Sequence, residues 1–216
     1  MKIAEVRFHP LTAKYDQGSW TAHEYAGAAQ LTLVEVKTDD GISGYGEIAG
    51  GPQKTICDLG ETFGDVIRGM DALGHVEIWN KLFSLTVPRP GGLGGWDGLP
   101  APLPRGQRPQ IMAAIGGIDI ALWDIKGRAL GQPVFRLLGG TRTEVFTYST
   151  GGYYVEGAPL ESCAEEFAQY VDMGYRAVKL KTGALSIADE LTRIRAVRDA
   201  IGPDTLLMLD MNAPYD

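Results

Sequence analysis

Apolar residues alternate with polar ones in the first part of the chain and then change to helical spacing. The alternation is clearest between residues 30 and 38, and residues 39–41 read Asp-Asp-Gly, a turn sequence. Apolar positions three and four residues apart follow, as at Ile78, Leu82 and Leu85. We predict strands at 3–8, 30–38 and 43–48 and helices at 54–67 and 75–85. An antiparallel meander followed by helices is therefore expected.

Residues 87–109 interrupt this pattern. They contain six prolines and six glycines, a density that excludes a regular helix or strand. A long loop of this kind is often either a functional lid or disordered, and both interpretations remain open here. The glycine run at 91–95 has no Lys-Ser/Thr pair after it and no strand before it, so we reject a phosphate-binding loop.

Strands and helices alternate in the last third of the chain, after a long helix predicted at 111–130. Glycine and proline end the intervening helices, and Ser186 with Asp189 three residues later forms a capping signal. We predict strands at 144–150, 177–182 and 205–211, with helices at 159–173 and 186–201. Strand, helix and strand in succession form a βαβ unit, which has a parallel sheet.

Charged side chains end two of these parallel strands. Alternation along one strand puts Lys179 and Lys181 on the same face. The same rule groups Met208, Asp210 and Asn212 on the following strand. Because neighbouring strands lie about 5 Å apart, two ammonium groups and a carboxylate are expected to meet at the carboxyl ends of the strands. Parallel α/β folds carry out their chemistry at those ends.

Composition narrows the class of protein. The 216 residues are 44% hydrophobic and 22% charged, as in ordinary globular proteins, and the net charge of −7 argues against a nucleic-acid partner. No apolar run approaches the ~18 residues of a membrane span, and the N-terminus has no signal-peptide core. Cys57 and Cys163 lack metal-ligand spacing, so we expect buried, unpaired thiols. These features predict a cytoplasmic protein without membrane contact.

One long segment resembles a known family. Residues 114–128 read AIGGIDIALWDIKGR and are followed by Pro-Val and then Leu-Leu-Gly. This sequence closely resembles the mandelate racemase/muconate lactonizing enzyme family of the enolase superfamily. Lys-Leu-Lys at 179–181 resembles the Lys-x-Lys base motif of that family. Asp-Met-Asn at 210–212 resembles its Asp-x-Asn motif, whose aspartate is the first magnesium ligand. The motifs follow the order found in the family.

The resemblance implies a two-domain enzyme. An α+β N-terminal capping domain, residues 1–140, includes the long helix 111–130 and closes over the barrel. Residues 141–216 then form the first part of a (β/α)7β TIM-like barrel domain. A barrel of this kind needs about eight strands, so we expect it to be incomplete in this chain. In the family the remaining metal ligands and the second acid/base lie on later strands. The chain is therefore expected to be inactive alone, and the C-terminal half of the barrel is one candidate partner.

The resemblance also assigns roles to the charged residues. In this superfamily a lysine or histidine base works with one or two Mg²⁺ ions to remove the α-proton of a carboxylate substrate, which gives an enediolate. We assign Asp210 as the Mg²⁺ ligand and Lys181, nearer the strand end, as the base. Lys179 is the neighbouring cation that disfavours protonation of Lys181. Asn212 either donates a hydrogen bond behind the metal ligand or forms a turn, and both interpretations remain open.

A loop predicted at 20–27 supplies candidates for substrate contact. In the family the corresponding loop folds over the active site. The resemblance therefore implies that Trp20, His23 and Tyr25 touch the substrate.

Several reactions of the superfamily start with this proton abstraction. We expect an acid-sugar dehydratase first, by analogy with family members of this layout. A racemase or epimerase of a 2-hydroxy acid and a cycloisomerase are the alternatives. The expected partner is a small carboxylate substrate, a sugar acid or a 2-hydroxy acid, and we expect a homo-oligomer. A rival of another class is a non-catalytic truncated barrel that serves as a binding or assembly module.

Overall fold

The computed structural model describes residues 1–87 and 98–212. Backbone contacts divide the chain into two units. The first comprises Met1–Ala13 and Gln30–Thr141, and the second comprises Lys14–Ala29 and Arg142–Asp216. The domain boundary predicted at residue 140 assigned residues 14–29 to the first domain, whereas these residues have their contacts in the second unit.

Strands come first and helices second in the first part of the chain. The strands are β1 (Ile3–Trp20), β2 (Tyr25–Thr38) and β3 (Ser43–Ala49), and the helices are α1 (Gln53–Ile67), α2 (His75–Ser84), α3 (Arg108–Leu130) and α4 (Val134–Leu137). The sheet has the order β1-β2-β3, and β2 pairs antiparallel with β3 so that Val34 lies opposite Gly46. The predicted order of strands followed by helices is confirmed.

The first two strands are longer than the sequence predicts. β1 continues to Trp20 and β2 begins at Tyr25, so the predicted loop at 20–27 is reduced to a short turn. Residues 10–17 are exposed along β1. Leu11, Ala13 and Tyr15 alternate with polar residues here, but Pro10 interrupts the run and favours an end to the strand. The backbone pairing of β1 with β2 nevertheless continues past it.

The core of the first unit forms where α3 packs against β3. Glycine on β3 permits a close approach, because a Cβ atom at Gly46 would lie 2.0 Å from the Gly117 carbonyl oxygen. A Cβ atom at Gly44 would likewise lie 2.2 Å from the Ala121 carbonyl oxygen. Both distances are far inside van der Waals contact, so these two positions admit only glycine. The large side chains of α3 that are buried in this core are Ile111, Ile115, Ile118, Leu122 and Ile125.

Replacing Gly46 by alanine is expected to lower the free energy of unfolding by about 3 kcal/mol, because the added methyl group meets backbone rather than a flexible side chain. Gly116→Ala is the matched control, since a Cβ atom there meets nothing within 4 Å. Alanine at that helical position is expected to add about 0.5–1 kcal/mol. Urea denaturation of the chain measures both changes. Equal effects of the two substitutions would contradict the close packing of β3 on α3.

The second unit contains a parallel sheet and two helices. Its elements are β4 (Ser149–Gly151), α5 (Cys163–Asp172), β5 (Ala177–Lys181), α6 (Ile187–Ile201) and β6 (Leu206–Asp210). The sheet order is β4-β5-β6, and both pairings are parallel. Phe167 of α5 and Val197 of α6 are fully buried in one cluster with Val178 and Leu180 of β5. The predicted alternation of strands and helices is confirmed.

Two element boundaries in this unit differ from the predicted ones. The strand predicted at 144–150 is reduced to β4, because the residues before it have no strand pairing in the described part of the chain. The apolar residues that suggested a longer strand, Val145 and Phe146, are exposed instead. The helix predicted at 159–173 begins with a 3-10 turn at Leu160–Ser162 before α5 starts.

The start of α6 has the predicted side-chain cap. Ser186 Oγ accepts a hydrogen bond from the Asp189 N–H at 3.2 Å. The cap satisfies one of the free N–H groups at the helix start. Residues 182–185 therefore form a short link between the end of β5 and a well-defined helix start.

The proline- and glycine-rich segment falls partly outside the described residues, which omit 88–97. In the flank that follows, Leu99 and Leu103 pack against the core of the first unit. The Leu103 N–H also donates a hydrogen bond to the Leu85 carbonyl oxygen at 2.8 Å. The lid interpretation of residues 87–109 stays a prediction.

The sequence also predicted two buried, unpaired cysteines and no membrane-spanning segment. Cys57 and Cys163 are both free; Cys163 is buried and Cys57 is partly exposed. Among the residues that the structure describes, no helix combines the length and the apolar character needed to cross a membrane.

Candidate active site

Two lysines and an aspartate meet at the carboxyl ends of β5 and β6. The strands pair so that Lys181 lies opposite Asp210. The Nζ atoms of Lys181 and Lys179 lie 2.8 and 2.9 Å from the same carboxylate oxygen, Asp210 Oδ2. The structure thus brings together the three charged groups that strand alternation placed on one face, and the two lysines are equally close to the carboxylate.

The two lysines differ in their surroundings. Lys181 is buried, whereas the side chain of Lys179 is 23% exposed. A buried ammonium group needs hydrogen-bond partners, and Lys181 Nζ donates both to Asp210 Oδ2 and to Asn212 Oδ1. The ring centroid of Tyr153 lies 6.0 Å from the same Nζ atom. Lys181 is therefore the more enclosed of the two groups and has the more fixed position.

The paired charges determine the ionisation of Asp210 and Lys179. Hydrogen bonds from the Lys181 ammonium, from the Asn212 N–H and from Lys179 hold the pKa of the Asp210 carboxyl well below its ordinary value. In turn, the hydrogen bond to Asp210 raises the pKa of Lys179. Asp210 is therefore a carboxylate at neutral pH, and Lys179 is an ammonium.

Asn212 makes hydrogen bonds to both Asp210 and Lys181. Its φ is 57°, a left-handed conformation that asparagine adopts more readily than most residues. Its backbone N–H donates a hydrogen bond to Asp210 Oδ1 at 3.0 Å, and its side-chain oxygen accepts one from Lys181 Nζ at 3.0 Å. Asn212 therefore belongs to the charged cluster, where its backbone N–H donates to Asp210 and its side chain acts as an acceptor toward Lys181.

A cavity of about 880 Å³ lies beside this cluster within the second unit. Lys181 and Asn212 line it, together with Trp20 and His23 from the tip of the β1–β2 hairpin. Two of the three predicted substrate contacts therefore face the same cavity as Lys181. Tyr153, in the loop after β4, completes this part of the lining.

Tyr25 does not line this cavity. It is 72% exposed, and its ring covers Gly18, where a Cβ atom would come within 2.0 Å of the tyrosine hydroxyl oxygen. Tyr153, by contrast, was not singled out from the sequence. It follows directly on a strand whose end was predicted at residue 150, so the rule that chemistry lies just beyond the strand ends could have found it.

Asp210 and Asn212 present hard oxygen atoms of the kind that Mg²⁺ prefers. Within residues 1–87 and 98–212, no group of three or more His, Cys, Asp or Glu side chains is arranged to hold a metal ion. The Asp210 carboxylate fits the role of a single ligand, because Mg²⁺ is commonly held by one or two protein carboxylates together with water and substrate oxygens. The other ligands would come from water, from substrate or from residues outside the described ranges.

Sequence profiles place the chain in a family. The profile of the mandelate racemase / muconate lactonizing enzyme N-terminal domain matches residues 19–139, and a profile described as enolase C-terminal domain-like matches residues 162–216. The first match covers more than half of the chain, so the chain belongs to the mandelate racemase / muconate lactonizing enzyme family. The resemblance seen in the sequence is confirmed. Members of this superfamily use Mg²⁺.

The similar proteins are enzymes. An arabinonate dehydratase from Saccharolobus solfataricus is 32% identical over 86% of this chain and 46% of its own length. A D-galactarolactone cycloisomerase from Agrobacterium fabrum is 34% identical over 100% of this chain and 53% of its own length. The crystal structure of a dipeptide epimerase from Enterococcus faecalis, complexed with Mg and the dipeptide L-Leu-L-Tyr, has a TM-score of 0.77 and 26% identity, and the match covers 100% of this chain and 55% of that chain. The chain spans about half the length of these relatives.

Proposed function

We propose that this chain contributes the base and one metal ligand to a Mg²⁺-dependent enzyme that removes the α-proton of a carboxylate substrate. The observation that carries the proposal is the position of Lys181, whose Nζ lies 2.8 Å from the Asp210 carboxylate at a cavity of about 880 Å³. Abstraction of a proton next to a carboxylate requires a base, and a cation bound at the same place stabilises the negative charge that develops. The reaction that we favour is the dehydration of an acid sugar.

Each residue has a separate role in the proposed reaction. Lys181, in its neutral form, takes the proton from the carbon next to the substrate carboxylate. Lys179 keeps a positive charge beside it, and a second cation disfavours protonation of the first. Asp210 would hold Mg²⁺, which when bound supplies positive charge to the substrate oxygens on which negative charge develops. Asn212 restricts the position of Lys181 by accepting its hydrogen bond.

The cavity lining suits a substrate with many hydroxyl groups. Its polar side chains other than Lys181 and Asn212 are Tyr15, Ser19, Thr21, His23, Glu24 and Tyr153. Such groups can donate and accept hydrogen bonds along a sugar-acid chain. In a dehydration the α-proton and a β-hydroxyl group leave as water, and the resulting enol tautomerises to a 2-oxo-3-deoxy acid. The arabinonate dehydratase among the relatives supports this choice.

Two other reactions start with the same proton abstraction. Cycloisomerisation is the second candidate, because the D-galactarolactone cycloisomerase matches 100% of this chain at 34% identity. Epimerisation, the reaction named for the dipeptide epimerase, is the third. All three need the same base and the same metal ligand, so the choice among them depends on groups other than Lys181 and Asp210.

We also propose that the α+β capping domain comprises residues 1–140 and that residues 141–216 begin a (β/α)7β barrel domain. The match of residues 162–216 to the enolase C-terminal domain-like profile supports this proposal, as does the parallel order β4-β5-β6. On β6, Leu206 and Leu209 are 52% and 45% exposed. Apolar side chains on a parallel strand are normally covered, which is consistent with further elements packing there.

Deuterium exchange tests the proposed function. The complete enzyme with Mg²⁺ is incubated in D₂O with a panel of aldonic and aldaric acids, and the products are followed by NMR and by an assay for 2-oxo acids. We expect at least one acid to give a 2-oxo-3-deoxy product that carries solvent deuterium at C3. Exchange without a 2-oxo product would favour epimerisation or cycloisomerisation. Binding of an acid without exchange at any carbon would support the non-catalytic binding module instead.

A further inference from the structure

A buried ion pair lies directly behind Lys181 and has no part in the mechanism described so far. Arg193 and Glu190 are on α6, and their side chains are 4% and 11% exposed. Arg193 Nη1 donates to the carbonyl oxygen of Lys181 at 3.0 Å and to Glu190 Oε2 at 3.3 Å. Its Nη2 donates to the carbonyl oxygen of Gly152 at 2.5 Å. One guanidinium group therefore joins the last residue of β5 to the loop after β4.

The other oxygen of the Glu190 carboxylate holds the link between β5 and α6. Glu190 Oε1 accepts hydrogen bonds from the backbone N–H groups of Gly183, Ala184 and Leu185 at 2.9, 3.1 and 3.1 Å. The Tyr154 hydroxyl donates to the same oxygen. Three successive N–H groups that point at one carboxylate fix the path of the backbone from the second residue after Lys181 onward.

Tyr154 extends this network to the hairpin tip. Its ring centroid lies 4.0 Å from Arg193 Cζ. Its backbone pairs with Trp20 through two hydrogen bonds of 2.9 Å, and the two rings are stacked with their centroids 6.1 Å apart. Trp20 lines the cavity, and so does Tyr153, which lies between Gly152 and Tyr154. The network therefore contacts the segment that carries Lys181 and two segments of the cavity wall.

A buried ion pair is seldom retained for stability alone, because removing two charges from water costs several kcal/mol that an apolar pair would not cost. Here the charged atoms hold backbone groups in fixed positions through hydrogen bonds. The planar guanidinium of Arg193 presents several donors in a rigid arrangement, which lets it bind two carbonyl groups and a carboxylate at once. A lysine has one nitrogen and could not reach all three acceptors.

We propose that Arg193, held by Glu190 and Tyr154, is a positioning residue for Lys181. This inference rests on the proposed function, in which Lys181 is the base. Arg193 fixes the backbone of Lys181, and Glu190 fixes residues 183–185, which begin two positions further on. A base misplaced by about 1 Å can lose about 100-fold in rate, so the network would act on the rate of proton transfer without touching the substrate.

The test compares Arg193→Lys with Arg198→Lys in the complete enzyme. Arg198 is also on α6, and its Nη1 donates to the carbonyl oxygens of Gly202 and Thr205 at 2.7 and 2.8 Å. It therefore binds two carbonyl groups on the same helix but at the segment before β6, away from Lys181. We expect Arg193→Lys to lower kcat for α-proton exchange by about 10- to 100-fold with KM nearly unchanged. Arg198→Lys is expected to lose thermal stability to a similar extent and to keep its kcat.

Equal changes in kcat for the two arginine variants at equal losses of stability would overturn the positioning role. If Arg193→Lys does not fold, Tyr154→Phe is the second test. It removes the hydrogen bond to Glu190 and the one that the tyrosine oxygen accepts from the Ala184 N–H at 3.2 Å, and it leaves the ring beside Arg193. We expect faster amide hydrogen exchange at residues 183–185 and a several-fold lower kcat in that variant. Unchanged amide exchange and unchanged kcat would reject the proposal.

Adding Lys181→Ala to the same measurement of α-proton exchange separates this inference from the proposed function. If Lys181→Ala exchanges the α-proton as fast as the wild type, the proposed function fails, whatever Arg193→Lys does. If Lys181→Ala is inactive and Arg193→Lys behaves like Arg198→Lys, only the positioning role fails. Amide exchange at residues 183–185 reports on the network without any turnover.

Discussion

Replacing Lys181 by alanine is expected to lower the rate of α-proton exchange by at least about 100-fold, because no other group in the described cluster occupies the position of the proposed base. Lys181→Arg should be equally inactive: arginine keeps the positive charge that pairs with Asp210 but stays protonated and cannot accept a proton. Lys179→Ala is expected to keep measurable exchange, since Lys179 supplies charge rather than the base. The measurement is deuterium exchange at the substrate α-carbon in the complete enzyme, resolved by stereochemical face.

The stereochemical outcome of this experiment also narrows the reaction. Loss of exchange on both faces of the α-carbon would indicate a reaction with a single base. Exchange that persists on one face would indicate a second base, as a racemase or epimerase requires. Normal exchange on both faces in Lys181→Ala would show that the base lies elsewhere, and the central assignment would be wrong.

Replacing Asp210 by asparagine is expected to weaken Mg²⁺ binding by at least about 10- to 100-fold and to abolish Mg²⁺-dependent turnover. Asparagine has nearly the same shape, but it lacks the negative charge that attracts the cation. Asp204→Asn is the matched control, because it makes the same chemical change at an exposed position shortly before β6. Calorimetric titration with Mg²⁺ measures binding without any substrate. Equal affinities in the Asp210→Asn variant and the wild type would remove Asp210 from the metal site.

The charged cluster could be predicted because it depends on two rules, alternation along a strand and parallel pairing within a βαβ unit. Alternation along β5 fixes which face Lys179 and Lys181 share, and parallel pairing places Asp210 opposite Lys181. Both rules can be applied to the sequence alone, although the contact that they predict joins residues 29 positions apart. The long outer part of β1 was not predicted, because Pro10 interrupts the run and strands seldom contain proline, although Leu11, Ala13 and Tyr15 alternate with polar residues beyond it.

The positioning network lay beyond the reach of sequence reasoning for a different reason. Glu190 and Arg193 are three residues apart on a helix, a spacing that ordinarily indicates a solvated ion pair on the surface. Only the fold shows that both are buried and that their backbone partners lie in two separate segments, at residue 152 and at residues 181–185. The positions of Tyr153 and Tyr154 could not be predicted either. Tyr153 contacts Lys181 and Tyr154 contacts Trp20, and both partners are far away in the sequence.

Residues 14–29 belong to the second unit, although the chain on either side of them belongs to the first. The cavity wall that they provide, including Trp20 and His23, is thus encoded far upstream of the strand that carries Lys181. Substitutions within residues 14–29 can therefore change the lining of this cavity without changing Lys179 or Lys181. The backbone hydrogen bonds between Trp20 and Tyr154 would survive such substitutions, since they do not depend on side-chain identity. Substitutions confined to this hairpin would therefore reshape the cavity wall and leave the proposed base and metal ligand in place.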